Sequence, residues 1–231
     1  MNESELNNLI KPEIIEDELA FIIEQLASRP DVKTILEIGS SSGEGSTAAF
    51  YKGITGRKEV YLFCLEVSET RFDKLLENYP EKEDCNMMCF NMASIVPFEY
   101  PSIQEVTHFY HNVSTVLNKY PLEEVLRWLK QDLDYIDDNI IEVGGIDYIK
   151  ESYSYLPNGL DTFDLVLIDG SEFTGFVELQ KIIGSKIIVL DDINSFKNYN
   201  SYQYLAKDKS YQLTKENWEL RNGFAIFEKV I

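Results

Sequence analysis

Several apolar runs in this chain stop at a residue that can bind a ligand or do chemistry. Gly39 follows Ile38, Glu66 follows Leu65, Asn91 follows Phe90, Asp169 follows Ile168, and Asp191 and Asp192 follow Leu190. The richest such point is Gly39-Ser40-Ser41-Ser42-Gly43-Glu44-Gly45, which leads into a helix-compatible run from Ser46. Glycine permits positive φ and lets a ligand approach the backbone. The N–H groups that open the next helix face whatever lies above the turn. The spacing Gly39-x-x-x-Gly43-x-Gly45 puts Ser41 where a dinucleotide fingerprint, G-x-G-x-x-G, has its middle glycine. Glu37 suits the cationic end of a ligand better than a pyrophosphate. Glu66 closes the next apolar run, where a carboxylate can accept hydrogen bonds from two ribose hydroxyls. Together these residues describe a site for a nucleoside that carries positive charge.

Such residues need a scaffold that brings them to one edge. The runs 34–39 and 60–65 are apolar on both faces, as parallel strands covered by helices are, and their spacing suits one β-α-β unit. Further strands are expected at 163–168 and 186–190, with a terminal pair at 210–217 and 223–228. Two segments compete for the third strand, 86–92 and 139–143. The first keeps the strand-to-helix spacing short. The choice decides whether Asn91-Met92 or Gly145-Ile146-Asp147 lies near the base of the nucleoside. Helical spacing predicts helices at 13–27, opening near Pro12, from 46, at 68–78, 121–138, 146–152, 173–183 and 195–206. The alternation implies an α/β chain with a mostly parallel sheet, helices on both faces and one antiparallel strand near the C-terminus. Ligands bind such sheets at the carboxyl ends of the strands. Gly39, Glu66, Asn91, Asp169 and Asp191-Asp192 then share one rim, where chance would scatter them over two.

Residues 93–120 lack clear periodicity and contain His108 and His111. The expectation is a single domain over 1–231, with 93–140 inserted as a lid over the cleft. Its aromatic residues Phe98, Tyr100, Phe109, Tyr110 and Tyr120 suit a sugar or a planar ring. A histidine of the lid, His108 or His111, is a candidate general base.

The string Glu37-Ile38-Gly39-x-x-x-Gly43 resembles the first motif of the class I S-adenosylmethionine (SAM) methyltransferases, and Glu66 occurs where that resemblance requires an acid. Phe163-Asp164-Leu165-Val166-Leu167-Ile168-Asp169-Gly170 resembles their fourth motif. With Asp191-Asp192 it resembles the catechol/macrocin type of O-methyltransferase, in which strand-end acids bind Mg²⁺. The resemblance covers about 34–66 and 163–228 and leaves the insertion outside. It implies a doubly wound, Rossmann-like sheet of seven strands, SAM as cofactor, and methyl transfer to a hydroxyl of a small molecule or glycan precursor. Carried over, Glu37, Gly39, Ser40, Ser41, Gly43, Gly45 and Ser46 would hold the methionine end and Glu66 the ribose, with Asn91 and Asp169 completing the set. Asp169, Asp191 and Asp192 would be the metal ligands, a set that suits a hard cation such as Mg²⁺. The metal would hold the acceptor hydroxyl and lower its pKa.

Two departures matter. Consecutive strand residues point to opposite faces, so Asp191 and Asp192 reach one metal only if the strand has already turned. Glu172 stands where catechol-type enzymes have a lysine and macrocin-type ones a histidine. Asp169, Glu172 and His111 are therefore the catalytic candidates. Two other readings stay open: a non-catalytic SAM-binding or regulatory protein of the same fold, and a hydroxylase-like relative.

Composition narrows the partners. Lys and Arg number 21 against 40 Asp and Glu, a formal charge of −19, which repels phosphate backbones and disfavours nucleic acid. No run approaches the ~20 apolar residues of a membrane span. The start, Met-Asn-Glu-Ser-Glu-Leu, lacks the pattern of a signal peptide. Cys64, Cys85 and Cys89 are too few and wrongly spaced for a zinc site. They read as reduced thiols in a cytoplasmic protein, with Cys64 a small core residue.

Overall fold

The computed structural model describes residues 12–80, 85–156 and 160–230. The apolar runs build one sheet from β1 (Thr34–Ile38), β2 (Tyr61–Glu66), β3 (Asn86–Asn91), β4 (Leu165–Ile168), β5 (Ile187–Asp191), β6 (Tyr211–Asn217) and β7 (Phe224–Lys229). Its order is β3-β2-β1-β4-β5-β7-β6, in seven strands. β7 runs antiparallel to both neighbours, and the pairs from β3 across to β5 are parallel. Of the two candidates for the third strand, 86–92 supplies β3. The other adds only an isolated parallel bridge between Met92 and Glu142.

The helices are α1 (Glu18–Ala27), α2 (Ser46–Ile54), α3 (Glu69–Asn78), α4 (Ile103–Asn112), α5 (Leu122–Asp138), α6 (Gly145–Ser152), α7 (Gly175–Ile182) and α8 (Phe196–Leu205). The side-chain period of two splits the central strands between two cores. Ile35, Leu62, Cys64, Leu165, Leu167 and Val189 pack with Leu19, Ile23, Phe50, Ile54 and Leu75, so α1, α2 and α3 cover one face. Leu36, Ile38, Phe63, Leu65, Val166, Ile168 and Ile188 pack with Ile146, Ile149, Leu179, Ile182 and Leu205, so α6, α7 and α8 cover the other.

Two expectations are corrected. The first helix starts at Glu18 rather than near Pro12. Residues 13–17 bend, Glu16 has φ +46, and Asp17 caps the helix by accepting from Ala20 N at 2.8 Å. Residues 93–120 are not irregular. They form short 3₁₀ turns at Pro97–Glu99 and Val116–Lys119 and the full helix α4. Ser102 and Glu105 cap α4 reciprocally: Ser102 N donates to Glu105 Oε2 at 2.7 Å and Glu105 N to Ser102 Oγ at 3.3 Å. Val106, Phe109, Leu117, Val125 and Leu129 then make a small core of their own, which touches the rest of the chain through Phe173, Phe196 and Tyr199. No helix among the described residues is long and apolar enough to cross a membrane.

Candidate active site

β1 and β4 are neighbours whose chains leave in opposite directions along the sheet. Between their carboxyl ends lies a cleft of about 610 Å³, lined by Gly39, Ser41, Glu66, Ser94, Asp169 and Lys197 among others. That volume is in the range of small-ligand sites, and the place is the topological switch point of an open α/β sheet.

The turn after β1 is drawn tight against its neighbours. Gly39 has φ +89, and a Cβ there would lie 2.1 Å from the carbonyl oxygen of Asp169, so only glycine fits. Gly39 N and Ser40 N both donate to Leu65 O, at 2.9 and 3.0 Å. Ser41 follows at φ +51, and its N–H donates to Glu66 Oε2 at 2.7 Å. Glu66 Oε1 accepts from Ser68 N at 2.8 Å. Burial pushes the Glu66 carboxyl above the usual range, against the pull of these N–H groups. A carboxylate has about four lone-pair sites, so acceptor capacity is left toward the cleft that Glu66 lines. Gly45 is the N-cap of α2 and supplies no side-chain bond, which leaves first-turn N–H groups for a ligand or solvent. Gly45 and Ser46 line the cleft.

Glu37 does something other than meet the ligand. It shares the face of β1 that carries Ile35, points under α2, and is fully buried. It accepts from Ser46 Oγ at 2.6 Å, Thr47 Oγ1 at 2.7 Å and Ser40 Oγ at 2.8 Å. It is a brace between turn and helix and is absent from the cleft lining. Gly43 is likewise a packing glycine: a Cβ there would lie 2.6 Å from both Leu75 and Tyr79. Asn91 does not line the cleft either. Its amide donates to the carbonyls of Glu66 and Val67, at 2.9 and 3.1 Å, and so holds the strand end that carries Glu66. Met92, Ala93 and Ser94, just beyond, do line it, whereas Gly145 and Asp147 do not.

The acidic corner meets the condition set by the sequence. Asp192 has φ +57, so the chain has turned by the end of β5. Asp169, Asp191 and Asp192 each bring a carboxylate oxygen within 4.8 Å of the others. Those carboxylates already hold cations, however. Lys197, in the first turn of α8, donates from Nζ to Asp169 Oδ1 at 2.9 Å and Asp192 Oδ2 at 2.6 Å. Arg221 donates to Asp191 Oδ1 at 2.9 Å and also pairs with Asp17. Asn222 donates to Asp192 Oδ1 at 3.0 Å. Lys197 is buried; burial alone would lower its pKa, but Asp169, Asp192, Glu172 and Asp191 outweigh that and hold it well above the ordinary lysine value. Burial and the neighbouring Asp192 push Asp191 up to about 6, against Arg221. Burial works against Asp192 too, but Lys197 outweighs it and keeps that carboxyl below the usual range. The three carboxylates alone would suit Mg²⁺; with Lys197 and Arg221 among them they do not.

The remaining candidates separate. Glu172 does not line the cleft. It accepts from Ser195 Oγ and from Lys197 N, the latter at 3.3 Å, and so anchors the start of α8. His111 and His108 are exposed on α4 and take no part in the cleft. Segment 93–140 contributes Asp132 instead, with Tyr135 and Ile136 from the same helix and Tyr100 before it. Asp132 accepts from Ser171 Oγ, and burial pushes its carboxyl up. Of the aromatic residues of this segment, Tyr100 reaches the cleft, Phe109 fills the small core and Phe98 is exposed. Asp132 and Lys197 escaped the sequence reading. The signal for Lys197 was a basic residue in the first turn of an expected helix, where the helix dipole disfavours it.

Solved structures share this fold at low sequence identity. The O-methyltransferase from Bacillus cereus in complex with SAH (S-adenosylhomocysteine) matches with a TM-score of 0.58 at 12% identity, over 100% of this chain and 92% of that one. Cofactor-bound Rv0187 from MTB matches at 0.54 and 14%, over 98% and 87%. A methyltransferase from Geobacter sulfurreducens matches at 0.52 and 8%, over 99% and 86%. No protein-family model and no curated protein matches the chain. At these identities the likeness is one of fold: the chain has the Rossmann-like fold of the class I SAM methyltransferases.

Proposed function

We propose that this protein is a SAM-dependent methyltransferase acting on an oxygen of a small molecule or glycan precursor. One observation carries the reading: in a chain of this fold, Glu66 and the Gly39–Ser41 turn frame one cleft at the switch point between β1 and β4. A fold neighbour is an O-methyltransferase crystallised with SAH, which supports the choice of cofactor and of oxygen.

The sulfonium supplies an electrophilic methyl group and leaves as a neutral thioether. The protein's part is to bind, orient and exclude water. Glu66 accepts the ribose hydroxyls. The open N–H groups of α2 receive the carboxylate of the methionine end. Met92, Ala93 and Ser94 flank the base. The acceptor lies between this pocket and the insertion, against Tyr100, Asp132 and Ser171. Asp132 is the carboxylate placed to take the proton that the acceptor hydroxyl gives up, a role the sequence offered to His108 or His111. The helices of 93–140 form the lid over the cleft. An ammonium already bridges two of the carboxylates that would bind Mg²⁺.

Calorimetric titration with SAM, SAH and NAD tests the cofactor. Binding of NAD and not of SAH would reject the reading. Transfer of labelled methyl to a hydroxylated acceptor separates an enzyme from a protein that only binds SAM.

A further inference from the structure

The lysine in the acidic corner is fixed there by its backbone. Asn198, the next residue of α8, donates from Nδ2 to Ile168 O at 3.0 Å and to Asp191 O at 2.7 Å, which ties the helix start to the ends of β4 and β5. Glu172 holds Lys197 N, and Gly175 admits the Lys197 carbonyl so closely that a Cβ there would lie 2.1 Å from it. The side chain is therefore aimed between the two strand ends. An ammonium has three N–H donors. Two meet Asp169 and Asp192, no acceptor among the described residues takes the third, and Lys197 lines the cleft.

We propose that Lys197 is the resident cation of this site: its ammonium stands between Asp169 and Asp192 where a divalent metal would bind, and its remaining N–H meets the oxygen of the methyl acceptor. The first half rests only on Lys197 and the residues around it; the second rests on the methyl-transfer reading. A metal entering this corner would have to push out Lys197 and compete with Arg221 for Asp191 and with Asn222 for Asp192. Displacement would strand a buried ammonium, which is strongly unfavourable. Lys197 thus does by hydrogen bonding what a metal does by ligation: it offsets part of the charge of the strand-end acids and fixes an oxygen.

The test is titration of Mn²⁺ into the full chain, with free Mn²⁺ followed by electron paramagnetic resonance and SAH affinity measured on the same samples. Wild type should leave the free Mn²⁺ signal unchanged. Lys197→Met should free Asp169 and Asp192 and bind Mn²⁺ at least about tenfold more tightly than wild type, and adding Asp169→Asn should abolish that gain. Lys197→Arg, which keeps the charge, should stay silent like wild type. A merely structural lysine would not create a metal site when removed. Binding of Mn²⁺ by wild type that disappears in Asp191→Asn overturns the proposal, as does a folded Lys197→Met that gains no site. Should Lys197→Met fail to fold, wild type and Lys197→Arg decide the first half. The second half expects labelled methyl transfer to survive EDTA in wild type and to fall in Lys197→Met at unchanged SAH affinity; loss of activity with EDTA overturns it. Failure of SAH to bind wild type would sink the methyltransferase reading and leave the Mn²⁺ result standing on its own.

Discussion

Replacing Glu66 by glutamine tests the cofactor site with almost no change of shape. The two carboxylate oxygens of Glu66 are each engaged by a backbone donor, Ser41 N at 2.7 Å and Ser68 N at 2.8 Å. Glutamine offers one oxygen and one NH₂, so one of those N–H groups would face another donor. A lost or unsatisfied bond of this kind costs roughly 1–3 kcal/mol. Part of that is offset, because Glu66 is buried and its charge is itself penalised by burial. Stability should therefore fall by only about 1 kcal/mol, within the span of common point substitutions. The effect on binding is larger. Hydrogen bonds to a charged acceptor are worth about 1.5–3 kcal/mol each. Two ribose hydroxyls lose a charged partner and keep a neutral one, so a net loss near 3 kcal/mol, roughly a hundredfold in affinity, is expected. Isothermal titration with SAH measures it, and a thermal melt without ligand checks that the variant is folded. Glu44→Gln is the control: that carboxylate belongs to the same turn, is exposed and accepts from Ser42, and its loss should leave SAH affinity as in wild type. A Glu66→Gln protein that binds SAH within about twofold of wild type would refute the placement of the ribose, since a twofold change is only about 0.4 kcal/mol.

Other outcomes follow from the same geometry. Gly39→Ala puts a Cβ 2.1 Å from Asp169 O at φ +89, so positive-φ strain and overpacking should together remove about 3 kcal/mol from the urea-unfolding free energy. Asp132→Asn should lower kcat by about 10²–10⁴-fold, the usual range for a general base, erase the acid limb of its pH profile and leave SAH affinity unchanged. Stability should rise as pH falls from 8 toward 4. Asp191 is pushed up to about 6 in the folded state, and burial also raises Glu37, Asp132, Glu172 and Glu178, so the folded chain binds more protons than the unfolded one. Stability from such groups is present below the unfolded carboxylate pKa and is lost as pH rises through the folded value. Asp191, raised from 3.8 to about 6 and almost fully buried, accounts for about 3 kcal/mol of it. Below that range the sign reverses, because Asp192 is held low by Lys197 and loses its contribution when protonated. Thermal melts from pH 4 to 8 should rise toward the acid end, and Asp191→Asn should flatten that rise.

What could be read in the chain was whatever depends on neighbours in sequence. Strands buried on both faces need unbroken apolar runs, so β1, β2, β4 and β5 were visible, and their polar ends had to gather on the rim where parallel strands finish. Glu37 was misread through neglect of the same logic. It stands two residues from Gly39, but alternation along β1 puts it with Ile35 beneath α2, where three hydroxyls converge on it. Segment 93–120 was misread as irregular for a different reason. α4 and its 3₁₀ turns are too short to show a long apolar period, yet Ser102-x-x-Glu105 was a helix start in plain view. Lys197 and Arg221 are harder. Lys197 meets Asp192 only five residues away, but it meets Asp169 across 28, and Arg221 meets Asp191 across 30. No local pattern pairs them; the pairing exists only once β5 has turned at Asp192 and α8 has been pinned against β4. The same acids that looked like an open ligand set in one dimension are an ion-paired one in three. A carboxylate cluster therefore predicts a metal only after its nearest cations have been located, here Lys197 on Asp169 and Asp192 and Arg221 on Asp191.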